Sequence, residues 1–379
     1  MSNLVECAEQ RKVTPYRHDF VGSFLRPERL KEARAKYQKD EISAEELKQI
    51  EDQEITELVK KQKAVGLKAV TDGEFRRSWW HLDFMWGLDG VQKVHLDKGY
   101  QFQGIETRAE TARLCGKVGF SSHPFVEHFK FLKAVAGDDV VARQTIPAPA
   151  QFLSELQRGE NKTSTAAYYS SMDELVADIA RAYRSAILAF YEAGCRSLQL
   201  DDCTWGMLCD KNYWEARQQE GVDVSEIVKL YARVNQQAIL DLPSDLVITT
   251  HVCRGNYHST WASSGGYEPV VEALFGIENI DGYYLEFDTD RAGDFTPLKD
   301  LKDQQQVVLG LFSSKTGELE DKQTILSRIR EAAEIVDINH ICLSPQCGFA
   351  STEEGNILTE EQQWEKLAFI KEIADEIWK

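Results

Sequence analysis

The stretch Met172–Asp202 reads MDELVADIARAYRSAILAFYEAGCRSLQLDD, and it joins a helix pattern directly to a strand pattern. Its first part repeats apolar residues at the spacing of one helix face, at Leu175, Ile179, Tyr183, Ala186 and Phe190. Gly194 then supplies the residue type that commonly ends a helix. The short apolar run Ser197–Asp202 follows and ends in two carboxylates. This order predicts a helix over Met172–Ala193 that leads into a buried parallel strand.

The same alternation extends along the chain. Seven other short runs are rich in apolar and β-branched residues: His18–Phe24, Leu67–Phe75, Ala142–Pro149, Leu246–Cys253, Gly282–Phe287, Gln306–Ser313 and Ile341–Gly348. Segments of helical period lie between most of these runs, as in Val224–Leu240, Lys322–Val336 and Glu360–Trp378. Strands that alternate with helices pair in parallel through βαβ crossovers. Eight such units predict an α/β fold of the (β/α)8 TIM-barrel type, and a doubly wound open sheet is the alternative.

The domain organisation follows from length and from one break in this alternation. The chain has 379 residues, of which 42% are hydrophobic, and a single large barrel of this size is common. No Pro/Gly/Ser-rich linker divides it, so we predict one domain over residues 1–379. The stretch 84–141 has a mixed, hairpin-like pattern, and we predict that it is an insertion after the second strand.

The charge and hydropathy exclude several kinds of partner. The chain has 44 Lys and Arg against 62 Asp and Glu, a net charge of −18. Nucleic acids and anionic membranes recruit positive charge, so we expect neither as a partner. No run reaches the roughly 18 apolar residues that span a bilayer. The N-terminus lacks the apolar core of a signal peptide, so we expect a cytoplasmic protein with reduced thiols.

Chemically active side chains stand at the ends of the predicted strands. In barrel enzymes the active site forms at the C-terminal ends of the strands. In chain order these ends carry Ser23, Glu74, Pro147, Asp201 with Asp202, His251 with Cys253, Glu286, Ser313 and Cys347. Packing alone does not favour carboxylates, thiols and an imidazole at the ends of apolar runs. The pattern predicts an active site at this end of the barrel.

Four of these residues form a plausible metal site. His251 and Cys253 are two residues apart on one strand, so their side chains point to the same side. With Glu286 and Cys347 from neighbouring strands they form a donor set that suits Zn²⁺ better than Mg²⁺ or Ca²⁺. The alternative is a hydrogen-bonded buried histidine beside apolar cysteines. We expect the other six cysteines, Cys203 included, to be structural.

The landmarks together resemble those of a known family. The matching segments, in order, are Val21–Phe24 (VGSF), Asp72–Glu74 (DGE), Leu200–Asp202 (LDD), His251–Cys253 (HVC), Glu286 and Pro345–Gly348 (PQCG). They resemble the C-terminal catalytic barrel of cobalamin-independent methionine synthases, and the chain looks most similar to short, single-barrel members. The resemblance implies zinc-dependent methyl transfer to homocysteine, giving methionine, with a methyl-folate as the donor. It also implies that His251, Cys253, Glu286 and Cys347 hold the zinc, and that Ser23, Glu74 and Asp201 bind homocysteine.

Elementary chemistry agrees with these roles. A thiol is mostly protonated at neutral pH, and coordination to Zn²⁺ converts it to the nucleophilic thiolate. The carboxylates of Glu74 and Asp201 suit the ammonium group of an amino acid; the alternative is that they cap a helix or pair with Arg76 or Arg77. Trp79, Trp80 and His81 follow Glu74 and either wall the pocket or pack a loop.

The seventh predicted strand departs from the family pattern. The family usually places a catalytic histidine there, whereas this chain reads GLFSSKT over Gly310–Thr316. We take Lys315 as a candidate proton donor, Ser313 as a candidate relay and Asp201 as a further candidate catalytic residue. The departure leaves other interpretations open: alkyl transfer to another thiol such as coenzyme M, a different donor such as methylcobalamin, or a non-catalytic barrel that binds zinc or a thiol amino acid.

Overall fold

The computed structural model describes residues 9–378 and contains parallel strands surrounded by helices. The strands are β1 (Ala69–Val70), β2 (Asp89–His95), β3 (Gln101–Phe102), β4 (Ile105–Glu106), β5 (Glu110–Gly119), β6 (Val141–Ala142), β7 (Gln144–Pro147), β8 (Ser197–Asp202), β9 (Val247–Val252), β10 (Gly282–Glu286), β11 (Gln306–Phe312) and β12 (Ile341–Pro345). The α-helices are α1 (Glu28–Gln38), α2 (Ala44–Ala64), α3 (Leu82–Trp86), α4 (Pro124–Ala136), α5 (Pro149–Leu156), α6 (Asn161–Ala166), α7 (Met172–Glu192), α8 (Thr204–Leu208), α9 (Lys211–Gln219), α10 (Val224–Ala238), α11 (Val271–Gly276), α12 (Lys322–Ala333) and α13 (Glu360–Ile377). Short 3₁₀ helices span Asp290–Ala292, Thr296–Asp300 and Ile338–His340.

The strands close into a barrel. Strands β7 to β12 pair in chain order, all in parallel. Strand β6, which precedes β7 by one residue, pairs in parallel with β1. At the opposite edge His18 forms a parallel bridge with Leu343 of β12. The segment after His18 then meets the end of β1, where Phe24 N donates to Gly73 O at 3.1 Å. The TIM-barrel prediction is therefore confirmed, and the open doubly wound sheet is wrong.

The two faces of each strand have different environments. One side chain from each of β10, β11 and β12 joins Val21 in a small separate cluster: Tyr284, Val308 and Cys342. Their neighbours in the strands belong to the main core, which includes the helices. An ion pair between Arg143 and Asp19, 2.9 Å apart, is fully buried. A barrel strand therefore has no solvated face, which explains the continuous apolar runs in the sequence.

The helix predicted over Met172–Ala193 is present as α7. Helix α7 begins after Ser171, whose side chain accepts a hydrogen bond from Glu174 N. It buries the predicted apolar stripe and ends at Glu192, one residue before the predicted end. Gly194 follows with a φ of 94°, a backbone conformation that residues other than glycine rarely adopt. No helix among residues 9–378 is long and apolar enough to cross a membrane.

The stretch between β1 and β6 contains antiparallel strands. Strand β2 pairs with β5, and β3 pairs with β4 in a small hairpin. The hairpin reaches the loop after β9, where Gln103 N donates to Trp261 O at 3.0 Å and the rings of Phe102 and Tyr257 lie 5.6 Å apart. Helix α4 packs on α2 and β6, as expected for a helix of the barrel wall. The insertion bounds 84–141 stay a prediction.

Candidate metal centre and substrate cavity

A cavity of about 600 Å³ opens at the C-terminal ends of the barrel strands. Its wall includes most of the site residues that the sequence indicated: Ser23, Glu74, Asp201, His251, Cys253 and Cys347. Trp79, Trp80 and His81 line it as well, so they wall the pocket rather than only pack a loop. Residues that are up to 324 positions apart in the chain therefore face one space, as is usual for this fold.

The four predicted metal ligands lie close together. One donor atom from each of His251, Cys253, Glu286 and Cys347 lies within 4.8 Å of the others, and all four residues are buried. The sulfur atoms of the two cysteines are 3.6 Å apart. One imidazole, two thiols and one carboxylate make a mixed donor set of the kind that zinc prefers.

The orientation of His251 fits a metal ligand. His251 pairs with Tyr284 in the β9–β10 register, and its Nδ1 lies 3.2 Å from the carbonyl oxygen of Tyr284. Because a carbonyl can only accept, Nδ1 carries the proton and Nε2 has a free lone pair. Nε2 is buried and has no hydrogen-bond partner among the described residues. This is the arrangement in which a backbone carbonyl orients a metal-binding histidine.

The two thiols are in surroundings that keep them protonated without a cation. A hydrogen bond with Cys203 and burial raise the pKa of Cys253 well above its usual range, although a hydrogen bond with Cys347 lowers it in part. A hydrogen bond with Cys253, followed by burial, does the same to the pKa of Cys347. A divalent cation at this point would favour the thiolates and release protons.

Cys203 is a third thiol at this centre, where it forms a hydrogen bond with Cys253, although the sequence pattern predicts a structural cysteine. Asp201 on β8 is the register partner of His251 on β9, and a cysteine lies two residues after each. Cys203 is partly exposed and lines the cavity. Its hydrogen bond with Cys253 lowers its pKa, but burial and nearby acidic groups raise that pKa by more. The equal spacing after Asp201 and His251 was the signal that could have revealed it.

Glu286 is the ligand candidate with the most partners of its own. Its Oε1 accepts from Arg254 N at 2.8 Å, and its Oε2 lies 3.2 Å from Arg291 Nη2. Burial raises its pKa, but Lys315, Arg254 and Arg291 together lower it below the usual value. The carboxylate is therefore ionised and held in place at neutral pH.

Glu74 is held in a strained turn with one oxygen free. Its φ is 62°, in the left-handed region that only glycine enters readily, and such strain is often found at functional sites. Its Oε1 accepts from Arg77 at 3.1 Å and from Thr145 at 3.0 Å. Its Oε2 is buried without a partner among residues 9–378. Pairing with Arg77 therefore occurs, yet it leaves one oxygen to meet a ligand.

Asp201 and Ser23 complete this side of the cavity. Burial and the nearby Glu74 raise the pKa of Asp201 well above its usual value, although Gln199 donates to it at 2.8 Å. Ser23 Oγ accepts from Ala350 N at 3.3 Å. A Cβ on Gly348 would lie 2.0 Å from Ser23 Oγ, so only glycine allows this close approach.

The remaining candidates lie behind the cavity wall. Asp202 is buried and accepts hydrogen bonds from Thr204 and Asn235, so it supports the start of α8. Neither Ser313 nor Lys315 is among the described residues that line the cavity. Lys315 Nζ donates to Asn256 at 3.3 Å, and Asn256 does line it. Their catalytic roles stay predictions.

The chain is similar in sequence and in fold to several known proteins. Residues 18–368 match the family described as "Cobalamin-independent synthase, Catalytic domain". The chain is 47% identical to the Bacillus subtilis protein YxjH, over 98% of this chain and 97% of that protein. A structure described as a putative vitamin-B12 independent methionine synthase from Listeria monocytogenes is 41% identical, with a TM-score of 0.76 over 97% of this chain and 100% of that one. A B12-independent methionine synthase from Shewanella sp. W3-18-1, in complex with selenomethionine, shares the fold: it is 18% identical, with a TM-score of 0.69 over 94% and 96% of the two chains.

Proposed function

Because this chain belongs to the family of the cobalamin-independent synthase catalytic domain, we propose that it transfers a methyl group to the thiol of homocysteine and forms methionine. The observation that carries the proposal is the convergence of His251, Cys253, Glu286 and Cys347 beside the cavity that Glu74 and Asp201 also line. A thiol substrate needs activation and an amino acid needs its ammonium group held. The two groups of residues are suited to these two tasks.

The four converging residues would hold Zn²⁺. The lone pair of His251 Nε2 has no other partner among the described residues, and the two cysteines offer the soft donors that zinc selects. When bound, the ion would lower the pKa of a coordinated substrate thiol and so supply the nucleophile. Arg254 and Arg291 hold Glu286 in position and balance part of the negative charge of the ligands.

Homocysteine would be oriented by the residues beside the metal ligands. The free Oε2 of Glu74 and the carboxyl group of Asp201 would accept hydrogen bonds from the ammonium group. Ser23 lies against Gly348, the residue after Cys347, and would donate its hydroxyl proton to the substrate carboxylate. Held at both groups, the amino acid has only its thiol left to direct to the metal.

The methyl donor of this proposal is 5-methyltetrahydrofolate, which would occupy the rest of the cavity. That part of the wall includes the aromatic side chains of Trp80, Tyr100 and Tyr231. Proton delivery to the departing nitrogen is assigned to Lys315, which would act through Asn256, with Ser313 as a relay. Asp201 is retained as a further catalytic candidate because its raised pKa lets it carry a proton.

Metal analysis and a paired assay test this function. Protein purified without chelator should contain about one zinc ion per chain, and methionine should form from homocysteine and 5-methyltetrahydrofolate. The same assay with methylcobalamin tests the alternative donor, and coenzyme M tests the alternative acceptor. Folded protein without zinc would overturn the proposal. Tight binding of homocysteine without turnover of either donor would favour a non-catalytic binding protein.

A further inference from the structure

A second polar cluster lines the cavity and has no part in the metal or amino-acid site. It consists of His81, Tyr100, Glu155 and Arg158, which all contribute to the cavity wall. His81 follows the turn that carries Glu74, whereas Tyr100 precedes β3, and Glu155 and Arg158 lie at the end of α5. Three separate parts of the chain therefore meet here.

In this cluster both Arg158 and Tyr100 donate hydrogen bonds to the carboxylate of Glu155. Arg158 Nη1 lies 3.3 Å from Glu155 Oε1, and its guanidinium carbon is 3.8 Å from the centre of the Tyr100 ring. The Tyr100 hydroxyl donates to Glu155 Oε2 at 2.8 Å. Burial, and then the charge of Glu155, raise the pKa of Tyr100 well above its usual value, so the hydroxyl keeps its single proton. That proton is committed to Glu155.

The position of the proton on His81 follows from this order. His81 Nε2 lies 3.1 Å from the Tyr100 oxygen. Because the proton of Tyr100 is already donated to Glu155, the oxygen can only accept from His81, and Nε2 must be the nitrogen that carries hydrogen. Nδ1 is then a lone-pair acceptor. Burial, and to a smaller extent the charge of Arg158, lower the pKa of His81 to about 3, so the ring stays neutral near pH 7.

This acceptor has no partner in the part of the chain that the structure describes. His81 is only 3% exposed, and its Nδ1 is buried without a hydrogen bond. The ring cannot easily turn away, because the rings of Trp80 and Tyr100 lie 4.5 Å and 5.6 Å from it. An unsatisfied buried acceptor is costly, which indicates that a ligand in the cavity completes it.

We propose that His81 Nδ1 determines specificity for the methyl donor by accepting a hydrogen bond from an N–H or O–H group of that molecule. The inference rests on the proposed function, which makes the methyl donor the second occupant of the cavity. Glu155 and Tyr100 act as positioning residues that keep the lone pair on Nδ1. A ligand that presents only a carbonyl or carboxylate oxygen to this point is rejected, because two acceptors would face each other. Trp80, beside His81, favours a planar ring next to the N–H group.

Two variants of His81 test the inference in the zinc-loaded protein. His81→Leu removes the acceptor and should weaken the binding of 5-methyltetrahydrofolate by about 10-fold or more. His81→Gln keeps an oxygen acceptor of similar reach and should recover part of this loss. Tyr100→Phe removes the oxygen that keeps the proton of His81 on Nε2. Its affinity for 5-methyltetrahydrofolate should lie between those of the wild type and His81→Leu. Titration calorimetry measures all three, and their affinity for homocysteine should match the wild type and serves as the control for folding.

Nitrogen NMR of ¹⁵N-histidine-labelled protein gives a reading that does not depend on turnover. The His81 signals, assigned by their loss in His81→Gln, should show protonated Nε2 and bare Nδ1, and the Nδ1 signal should shift when 5-methyltetrahydrofolate is added. A protonated Nδ1, an unchanged signal at saturation, or equal affinity in His81→Leu would each overturn the inference. If methionine forms but His81→Leu keeps the wild-type KM, the inference fails alone. If wild-type protein binds no methyl-folate, the proposed donor fails with it.

Discussion

The candidate metal centre and the acidic pair of Glu74 and Asp201 lie at the same cavity but are held in place in different ways. Strand register positions the first: β9 and β10 bring His251 against the carbonyl of Tyr284, and the donor atoms end within 4.8 Å of one another. The second depends on a turn with a φ of 62° at Glu74 and on burial of an acid whose pKa is raised. Both regions leave a buried acceptor without a partner among the described residues, namely His251 Nε2 and Glu74 Oε2. A pair of strands can thus bring the proposed zinc ligands together with little strain, whereas the proposed site for the substrate ammonium group combines a strained turn with two neighbouring buried acids.

The largest effect should come from loss of a soft donor. Cys347→Ser should abolish stoichiometric zinc binding and reduce methionine formation by more than about 100-fold, since even changes behind the ligands cost ~10–100-fold. Metal content and circular dichroism measure zinc and folding on the same sample. Cys115→Ser, at an exposed thiol, is the matched control and should keep its zinc. Full zinc content in Cys347→Ser would contradict the proposed ligand set.

A smaller effect is expected on the carboxylate side. Glu74→Gln keeps the shape of the side chain but removes the charge, so homocysteine should bind about 10- to 100-fold more weakly. Zinc content should be unchanged, because Glu74 is not one of the four converging donors. Calorimetric titration with homocysteine is the measurement. Parallel loss of zinc would show that the two regions are not independent.

The raised pKa of Asp201 predicts a pH dependence of stability. An unfolded Asp ionises near pH 4, whereas the folded protein holds this proton to higher pH. The native state therefore binds more protons above pH 4, and the free energy of unfolding should fall as pH rises through the folded pKa, by up to about 1.4 kcal/mol per pH unit. Urea unfolding of metal-free protein from pH 4 to 8 measures this, and Asp201→Asn should make the slope smaller, because other buried acids such as Glu74 also have a raised pKa. An equal slope in both proteins would contradict it.

The smallest effect is expected at Cys203, which sharpens the boundary of the metal centre. Its thiol contacts Cys253 but is not among the four donors that converge. Cys203→Ser should therefore keep about one zinc ion per chain and change zinc affinity by less than about 10-fold, the low end of effects behind the ligands. Competition with a chromogenic chelator measures the affinity. Loss of zinc would add Cys203 to the ligand set.

The sequence pattern predicts some elements and site contacts of this protein accurately and others not at all. Strand β8 has the predicted bounds Ser197–Asp202, and α10 begins at the predicted Val224, because both have uninterrupted periodic patterns. The run His18–Phe24 forms only a bridge at His18, since hydrogen bonds from its turn to β1 replace a regular ladder. His251 and Cys253 are two residues apart on one strand, and this spacing alone predicts that their side chains point to the same side. The role of Tyr100 could not be predicted in this way, because Tyr100 reaches His81 and Glu155 only after the stretch between β1 and β6 folds over the cavity.

By itself, the sequence determined the barrel and the identity of the chemical groups at its C-terminal end. Periodicity, and the position of functional groups at the ends of apolar runs, involve residues that are close together in the chain. They can therefore be recognised from the sequence alone. Only the tertiary structure decided which of those groups meet. In the folded chain, Asp202 accepts a hydrogen bond at the start of α8, and Lys315 donates to Asn256. Cys203 contacts Cys253 of the candidate metal centre, and Tyr100 accepts a hydrogen bond from His81 Nε2. Hydrogen-bond direction and distance depend on partners far apart in the chain, so no local pattern could specify them.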